Sequence, residues 1–220
     1  MIIYAAADIH GKPKRISLIK DIIKKLTPDV LVVAGDITNY TKAASVITQL
    51  SDMPIPVLAV RGNADLPKVE NLLDKYPNTH SLHFKQIFQN GICFTGISGT
   101  IPVPFSSRIC LREKRALNKF ESLINNPSVL VFHTPPRWTR DEVMGKFSAG
   151  SRNLYKFVRE IQPNLLICGH IHERAGVTAI GKTIVVNCSI SKSSAGALID
   201  YQKGKKPKVE MIKRGNREIN

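Results

Sequence analysis

The chain has 220 residues, of which 43% are hydrophobic, and its 32 basic against 17 acidic side chains give a formal net charge of +15. The length predicts one domain spanning residues 1–220, and the apolar content excludes a disordered or fibrous protein. No apolar run reaches the roughly 18–20 residues that a membrane span needs, and the positive charge favours anionic partners without deciding between them.

The first third of the sequence alternates short apolar runs with amphipathic stretches. The apolar runs predict buried strands at residues 2–7, 30–34 and 55–60. Apolar residues at helical spacing predict helices between and after these strands, at residues 13–26, 41–50 and 66–76. This β-α-β-α-β-α order is typical of a largely parallel sheet with helices packed against it.

The pattern changes after the third helix. An alternating run at residues 82–88, the turn pair Asn90-Gly91 and a second run at 92–97 predict a β-hairpin. A loop rich in Gly, Pro and Ser then leads to a predicted helix at residues 109–124. The later predicted elements are strands at 129–132, 165–168, 176–180, 183–186, 196–200 and 209–213, with a helix at 154–161. We therefore expect one α/β domain with two sheets and outer helices.

The cysteines and the start of the chain indicate the compartment. None of the four cysteines has C-x-x-C spacing, which excludes a disulfide framework and a thiolate zinc site; they are Cys93, Cys110, Cys168 and Cys188. The first residues lack a basic region and lead straight into a polar motif, so they predict a strand and not a signal peptide. We expect a cytoplasmic protein with free, mostly buried thiols.

Side chains that bind metals follow five of the predicted strands. They are Asp8, His10, Asp36, Asn63, His133, His170 and His172. An isolated Asp-x-His or Gly-Asp is more often a cap or a turn, but strand ends of a parallel sheet lie at one edge, so five of them together predict one site. The glycines before Asp36, Asn63 and His170 are expected to let the backbone turn sharply there.

These residue types suit a site for two divalent ions. A carboxylate such as Asp36 has two oxygens and can bridge two cations, while neutral imidazoles and an amide oxygen complete their coordination without excess negative charge. Two ions about 3.5–4 Å apart can each hold a phosphate oxygen and share a hydroxide as nucleophile.

The ordered set Asp-x-His, Gly-Asp, Gly-Asn, His and Gly-His-x-His, between residues 8 and 172, resembles the calcineurin-like metallophosphoesterase superfamily. The runs His-Thr-Pro-Pro at 133–136 and Cys-Gly-His-Ile-His-Glu at 168–173 are most similar to its small archaeal and bacterial members. The resemblance implies a four-layer α-β-β-α sandwich of two mixed sheets. It also implies two divalent metal ions per chain, for which we expect manganese first and iron, zinc, nickel or cobalt as alternatives.

The resemblance further implies a role for each residue. Asp8, His10 and His172 would bind the first metal, and Asn63, His133 and His170 the second, with Asp36 bridging both. The implied activity is hydrolysis of phosphate esters by a hydroxide between the metals, with Asp36, Asn63 and His133 as the catalytic residues. The substrate would be a small phosphorylated molecule contacted by Asn63. Apart from the resemblance, Arg108 in the loop that precedes the fourth helix could grip its phosphate, or could be a solvated residue of an ordinary surface loop.

One motif departs from the family pattern. The third motif usually reads Gly-Asn-His followed by Asp or Glu, and its histidine contacts phosphate or assists the leaving group. Here Ala64 takes the place of that histidine, so the role is vacant or belongs to another residue. Asp65 could orient a ligand or cap the next helix. Members without the histidine resemble phosphodiesterases, so we expect diesters to be preferred over monoesters.

Other readings stay open at this point. The Ala64 departure allows a catalytically weak scaffold for protein interaction, and the charge allows a nuclease or nucleotide pyrophosphohydrolase, although nucleic acid is not the favoured partner. The β-rich end could form a homodimer edge. Trp138 could stack on a base but more often such a residue packs on its own loop. His80 and His83 are expected to be structural, and the Asn-Cys-Ser run at Asn187 is a second departure without a predicted role.

Overall fold

A computed structural model describes residues 1–99, 107–124, 128–143 and 147–214, and the side chains of residues 107–112 and 147 are not described. It contains five α-helices: α1 Pro13–Leu26, α2 Ala43–Ser51, α3 Lys68–Leu73, α4 Ser107–Glu121 and α5 Arg152–Ile161. The first seven strands are β1 Ile2–Ala6, β2 Val30–Ala34, β3 Val57–Val60, β4 Thr79–Ser81, β5 Gln86–Gln89, β6 Ile92–Ile97 and β7 Ser128–Phe132. The others are β8 Glu142–Val143, β9 Phe147–Ser148, β10 Leu165–Cys168, β11 Gly176–Ile180, β12 Thr183–Asn187, β13 Ser194–Asp200 and β14 Lys208–Lys213.

Twelve of the described strands form two six-stranded mixed sheets, and β8 and β9 form a small antiparallel pair of their own. The first has the order β14-β13-β1-β2-β3-β4, in which β1 to β4 run parallel and β13 and β14 are antiparallel additions. The second has the order β11-β12-β10-β7-β6-β5, with four central parallel strands and an antiparallel strand at each edge. In each sheet, the parallel strands therefore end at a single edge.

Three layers of apolar side chains hold the two sheets and the helices together. The inward-facing residues of both sheets, such as Val32, Phe94 and Val131, form the central core. Residues on the opposite face of the first sheet pack against α1, α2 and α3, and those of the second pack against α4 and α5. The predicted four-layer α-β-β-α sandwich is thus confirmed.

Helix α1 shows how the sequence builds the outer layer. Pro13 occupies the first turn, where its missing amide is not needed for a helical hydrogen bond. Ile16, Ile19 and Ile23 lie on the buried face at helical spacing, and Thr27 ends the helix in a left-handed conformation. The helix begins next to the strand ends because only the short segment 7–12 separates it from β1.

The prediction of one strand over residues 82–88 is confirmed for residues 86–88, which lie in β5, and is wrong for residues 82–85. This segment carries the chain from the first sheet to the second: the Leu82 amide donates to Ala59 in the first sheet, and the Leu82 carbonyl accepts from Gly96 in the second. The alternation of apolar residues reflects a crossover whose side chains enter the cores on both sides. Strand β4, directly before it, was not predicted, and the hairpin is confirmed only for β5 and β6.

Two other expectations concern burial and membranes. Cys168 and Cys188 are free and buried, as predicted, and Cys93 is buried, while the Cys110 side chain lies outside the described residues. Within the described part of the chain, no helix has the length and apolar character needed to cross a membrane.

Candidate metal centre

The seven predicted ligands meet where the parallel strands of the two sheets end. Each lies within a few residues of a strand end: the first sheet supplies Asp8, His10, Asp36 and Asn63, and the second supplies His133, His170 and His172. Their side chains form one connected cluster, because each has an atom within 3.8 Å of another member. The structure therefore brings all seven together.

One half of the cluster consists of Asp8, His10 and His172, whose ligand atoms converge. His172 Nε2 lies 3.2 Å from Asp8 Oδ1 and 3.5 Å from His10 Nε2. Asp8 Oδ1 is buried and has no well-aligned hydrogen bond within the described part of the chain. Ligand atoms about 2.0–2.2 Å from a shared divalent ion lie roughly 3.0–3.5 Å from each other, so these distances fit a metal.

The other half consists of Asn63, His133 and His170. His133 Nε2 lies 3.0 Å from Asn63 Oδ1 and 3.2 Å from His170 Nδ1. Asp36 and Asp8 also converge with His133, and all three are buried. Each half has one fully buried member, Asp8 in the first and His133 in the second, while Asn63 is exposed.

Asp36 lies between the two halves. Its Oδ2 is 3.8 Å from His10 Nε2 and 3.5 Å from His133 Nε2, so one oxygen faces a histidine of each half. Its Oδ1 instead accepts a hydrogen bond from the Ala64 amide at 2.8 Å, which fixes the carboxylate. This orientation fits a carboxylate that bridges two cations.

His133 provides the sharpest test of whether a cation fits. Its Nδ1 lies 2.8 Å from the carbonyl oxygen of Ala34, so Nδ1 carries the hydrogen in the neutral ring and Nε2 presents a lone pair. That lone pair faces the Asn63 oxygen, which is also an acceptor. With the amide oxygen of Asn63 oriented towards Nε2, a proton or a metal ion between the two acceptors accounts for this contact.

The pKa values describe the proton alternative. Burial alone would lower the pKa of His133, but the hydrogen bond with Asp36 and the charges of Asp8 and Asp36 outweigh it and raise this pKa to about 9. Burial and then the His133 charge lower the pKa of His170 to about 4. Burial opposes ionisation of Asp8, but a hydrogen bond with His172 and the nearby histidine charges lower its pKa to about 2.

The backbone at the site adopts conformations that are uncommon for residues with side chains. Asp8, His10, Asp36 and His170 have φ values of 61°, 52°, 50° and 73°. Such conformations cost about 1–3 kcal/mol each and persist where surrounding structure imposes them. Here the strand-end loops impose them, since the amides of Asp8 and His10 donate to Gly35 and Asp36.

The motif glycines are needed for different reasons. Gly35 has φ +88°, so it makes the predicted turn, and a Cβ there would also lie 2.5 Å from His133 Nδ1. Gly62 has no positive φ; a Cβ at this position would instead overlap Asp36. The loops after β2 and β3 therefore approach each other more closely than any residue other than glycine at position 62 would allow.

Asp65 connects these two loops. Its carboxylate is buried and accepts hydrogen bonds from the amides of Ile37, Thr38 and Gly62 and from the Thr38 hydroxyl, at 2.7–3.0 Å. It does not cap α3, whose N-cap is Pro67. The cap role predicted for Asp65 is therefore wrong, and its orientation of a ligand stays a prediction, because its hydrogen bonds reach residues next to Asp36 and Asn63.

Two further residues near the site were missed from sequence. Asn187 Nδ2 donates to the Ile171 carbonyl at 3.0 Å and so braces the Gly-His-x-His loop from the end of β12. Arg15, in the first turn of α1, donates to the Asp8 carbonyl. The Asn-Cys-Ser run is a sequence feature that could have identified Asn187. No such feature marks Arg15, because its contact depends on how α1 packs against the sheet.

The remaining predicted residues lie elsewhere. Arg108 is outside the residues whose side chains are described. Trp138 is 62% exposed and meets the Tyr155 ring edge-on at 4.9 Å between centroids. His83 Nδ1 accepts from the Ser98 amide at 2.9 Å, and His80 lies in β4, so neither belongs to the cluster of seven.

Comparisons with known proteins agree with this arrangement. Residues 1–174, which include all seven cluster residues, match the model of the calcineurin-like phosphoesterase family. An uncharacterized protein of Methanocaldococcus jannaschii, MJ1162, is 34% identical over 199 residues, covering 86% of this chain and 88% of that protein. UPF0046 protein K07C11.7 of Caenorhabditis elegans is 31% identical over 185 residues, covering 73% and 62%. The structure of TT1561 from Thermus thermophilus shares the fold, with a TM-score of 0.73 at 18% identity over 96% of this chain and 98% of that one.

Proposed function

Because the chain belongs to the calcineurin-like phosphoesterase family, we propose that it is a single-domain enzyme that hydrolyses phosphodiesters with two divalent metal ions. The observation that carries this proposal is the convergence of seven ligand side chains, among which the two acceptors His133 Nε2, in the neutral ring, and Asn63 Oδ1 lie 3.0 Å apart. A cation at this point satisfies both acceptors. We propose manganese as the working metal.

The seven residues divide into two coordination groups. Asp8, His10 and His172 would hold the first ion, and Asn63, His133 and His170 would hold the second. Asp36 would contribute its carboxylate to both, while its Oδ1 accepts from the Ala64 amide. The tautomer of His133 is set by the Ala34 carbonyl, which leaves Nε2 as the ligand atom.

The reaction depends on charge and position. Two divalent ions held there would lower the pKa of a water molecule between them and offset the charge of a phosphate, so that hydroxide is available near neutral pH. The chain supplies orientation: Asn63 is exposed, and its Nδ2 can donate to a phosphate oxygen while Oδ1 faces the site. Arg108 is proposed as a second, bidentate phosphate contact.

The diester preference rests on Ala64. Its side chain has no proton to give and is only 5% exposed, so it cannot contact a leaving group as a histidine would. Loss of a general acid often lowers rates by about 10²–10⁴-fold, most for poor leaving groups. We propose that the enzyme acts on diesters with relatively good leaving groups.

Turnover after controlled metal loading tests the proposal. The protein is stripped with a chelator, reconstituted with manganese and assayed with bis-(p-nitrophenyl) phosphate and p-nitrophenyl phosphate. We expect diester cleavage to exceed monoester cleavage and to vanish again on chelation. His133→Ala should abolish it, whereas His80→Ala, outside the cluster, should retain it. A protein with two bound metals that cleaves neither ester would contradict the proposal and favour a scaffold role.

A further inference from the structure

Tyr40 lies on the loop after Asp36 and next to the Asn63 loop. Its amide donates to the Ala64 carbonyl at 3.1 Å, and its hydroxyl lies 3.5 Å from the Asn63 carbonyl oxygen. The ring thus lies along the peptide that joins Asn63 to Ala64. Tyr40 is nevertheless 55% exposed, so it lies at the surface beside the Asn63 loop and does not fill a core.

The backbone holds Tyr40 in this place firmly. Its φ is 49°, in the left-handed region where an aromatic residue is uncommon and costly. Asp65 fastens the preceding residues, Ile37 and Thr38, to the loop that carries Gly62. The two loops therefore form one unit, and Tyr40 keeps a fixed position relative to the proposed ligand Asn63.

A purely structural tyrosine would be expected to look different. Burying an aromatic ring contributes stability, and a buried hydroxyl normally has a good hydrogen bond. Tyr40 has neither feature, because more than half of the side chain faces solvent and the contact of its hydroxyl is at the long limit. The hydroxyl can turn from this contact towards a bound molecule at little cost.

The position matches the vacancy left by Ala64. A side chain that assists the leaving group must reach the rim of the site next to Asn63, and Tyr40 presents a hydrogen-bond donor there. We propose that Tyr40 contacts the substrate on the leaving-group side, where its hydroxyl donates a hydrogen bond to the leaving oxygen of a phosphodiester. This inference rests on the proposed function, and it names the residue that takes over the contact normally made by histidine.

The step balances without a change in the protonation of Tyr40. The oxygen of the attacking water forms a bond to phosphorus, the bond from phosphorus to the leaving oxygen breaks, and a proton from water ends on the alcohol or phenol that leaves. Negative charge accumulates on the leaving oxygen as its bond breaks, so a hydrogen bond from a neutral phenol strengthens at that moment. Poor leaving groups, which carry more of this charge, gain most.

A leaving-group series tests the contact. Tyr40→Phe removes only the hydroxyl and is compared with wild type on aryl methyl phosphodiesters whose phenols span a range of pKa. We expect kcat/KM to fall about tenfold for unsubstituted phenol and less than threefold for p-nitrophenol, as for loss of one neutral hydrogen bond. Tyr76→Phe, in which the hydroxyl lost is one that contacts Thr48, is the matched control and should show no such trend.

A binding measurement gives a readout apart from turnover. Orthovanadate binding to the manganese-loaded proteins is measured by calorimetry, with metal content checked by elemental analysis. We expect Tyr40→Phe to keep its metals and to bind vanadate about fivefold more weakly, as expected for one weakened hydrogen bond. An active wild type with an unchanged Tyr40→Phe in both assays would overturn the inference alone. A wild type that neither turns over nor binds vanadate would overturn the proposed function together with it.

Discussion

At the scale of single residues, His133 connects the protonation of the site to its occupancy. Its pKa is raised to about 9, so in the metal-free folded protein it holds a proton at neutral pH. Because this pKa lies above the ordinary value near 6.5, protonation of His133 stabilises the metal-free folded protein. The contribution is complete below pH 6.5 and is lost as the pH rises through about 9. The unfolding temperature in excess chelator should therefore fall over this range.

Metal binding should show the opposite trend. A metal can occupy the His133 lone pair only after the proton leaves, so its apparent affinity should rise with pH up to about 9, by roughly 100-fold from pH 7. Calorimetry at pH 7 in buffers of different ionisation enthalpy should detect release of about one proton or more per chain. The same titration on His133→Gln should lose the steep pH dependence together with the tight site. Affinity that is flat between pH 7 and 9 would contradict this role for His133.

Gly62 makes a second prediction at this scale. An alanine methyl there would overlap Asp36, including its backbone nitrogen, which cannot move without shifting the β2 loop. Gly62→Ala should therefore fold but bind metal at least about tenfold more weakly, as expected for a perturbed neighbour of a ligand. Gly204→Ala is the control for metal binding, because a Cβ there meets nothing within 4 Å and its φ of +77° confines the strain to a turn in the exposed segment after β13. Its metal content should match wild type; equal metal affinity in both variants would show that the close approach at Gly62 is unimportant.

At the scale of elements, the site depends on the connection between the loops after β2 and β3. Asp65 makes this connection through its four hydrogen bonds. In Asp65→Asn, the side-chain amide would face backbone N–H groups, so buried donors would lose their acceptor at a cost of about 1–3 kcal/mol each. We expect a clear drop in the free energy of unfolding, measured by urea denaturation, and weaker metal binding. Asp21→Asn, on the exposed face of α1, should leave both unchanged.

The elements also show what sequence can and cannot predict. Apolar runs identified the central strands, and the residues after them identified the seven side chains that meet at the site, because parallel strands end at one edge. The predicted strand at residues 82–88 begins too early, because the crossover at residues 82–85 has the same alternation of apolar residues as a strand. Asp65 and Tyr40 act through contacts between the β2 and β3 loops. Such contacts leave no local pattern, so sequence could not predict them.

At the scale of the whole molecule, the net charge of +15 should affect substrate capture more than chemistry. Raising salt from about 0.05 to 0.5 M shortens the screening length, so kcat/KM for an anionic diester should fall several-fold while kcat changes little. A variant in which Lys203, Lys205 and Lys206 are replaced by glutamine should show a weaker salt dependence. A kcat/KM that is independent of salt would mean that the charge serves only as a solvated exterior.

The central claim concerns two metal positions held by one cluster, and anomalous diffraction from manganese-soaked crystals tests it most directly. The account predicts two peaks per chain: one in contact with Asp8, His10 and His172, and one in contact with Asn63, His133 and His170. Asp36 should contact both peaks, at the roughly 3.5–4 Å separation typical of two-metal sites. A single peak, no peak in protein saturated with manganese, or a second peak away from Asn63 and His133 would contradict the account.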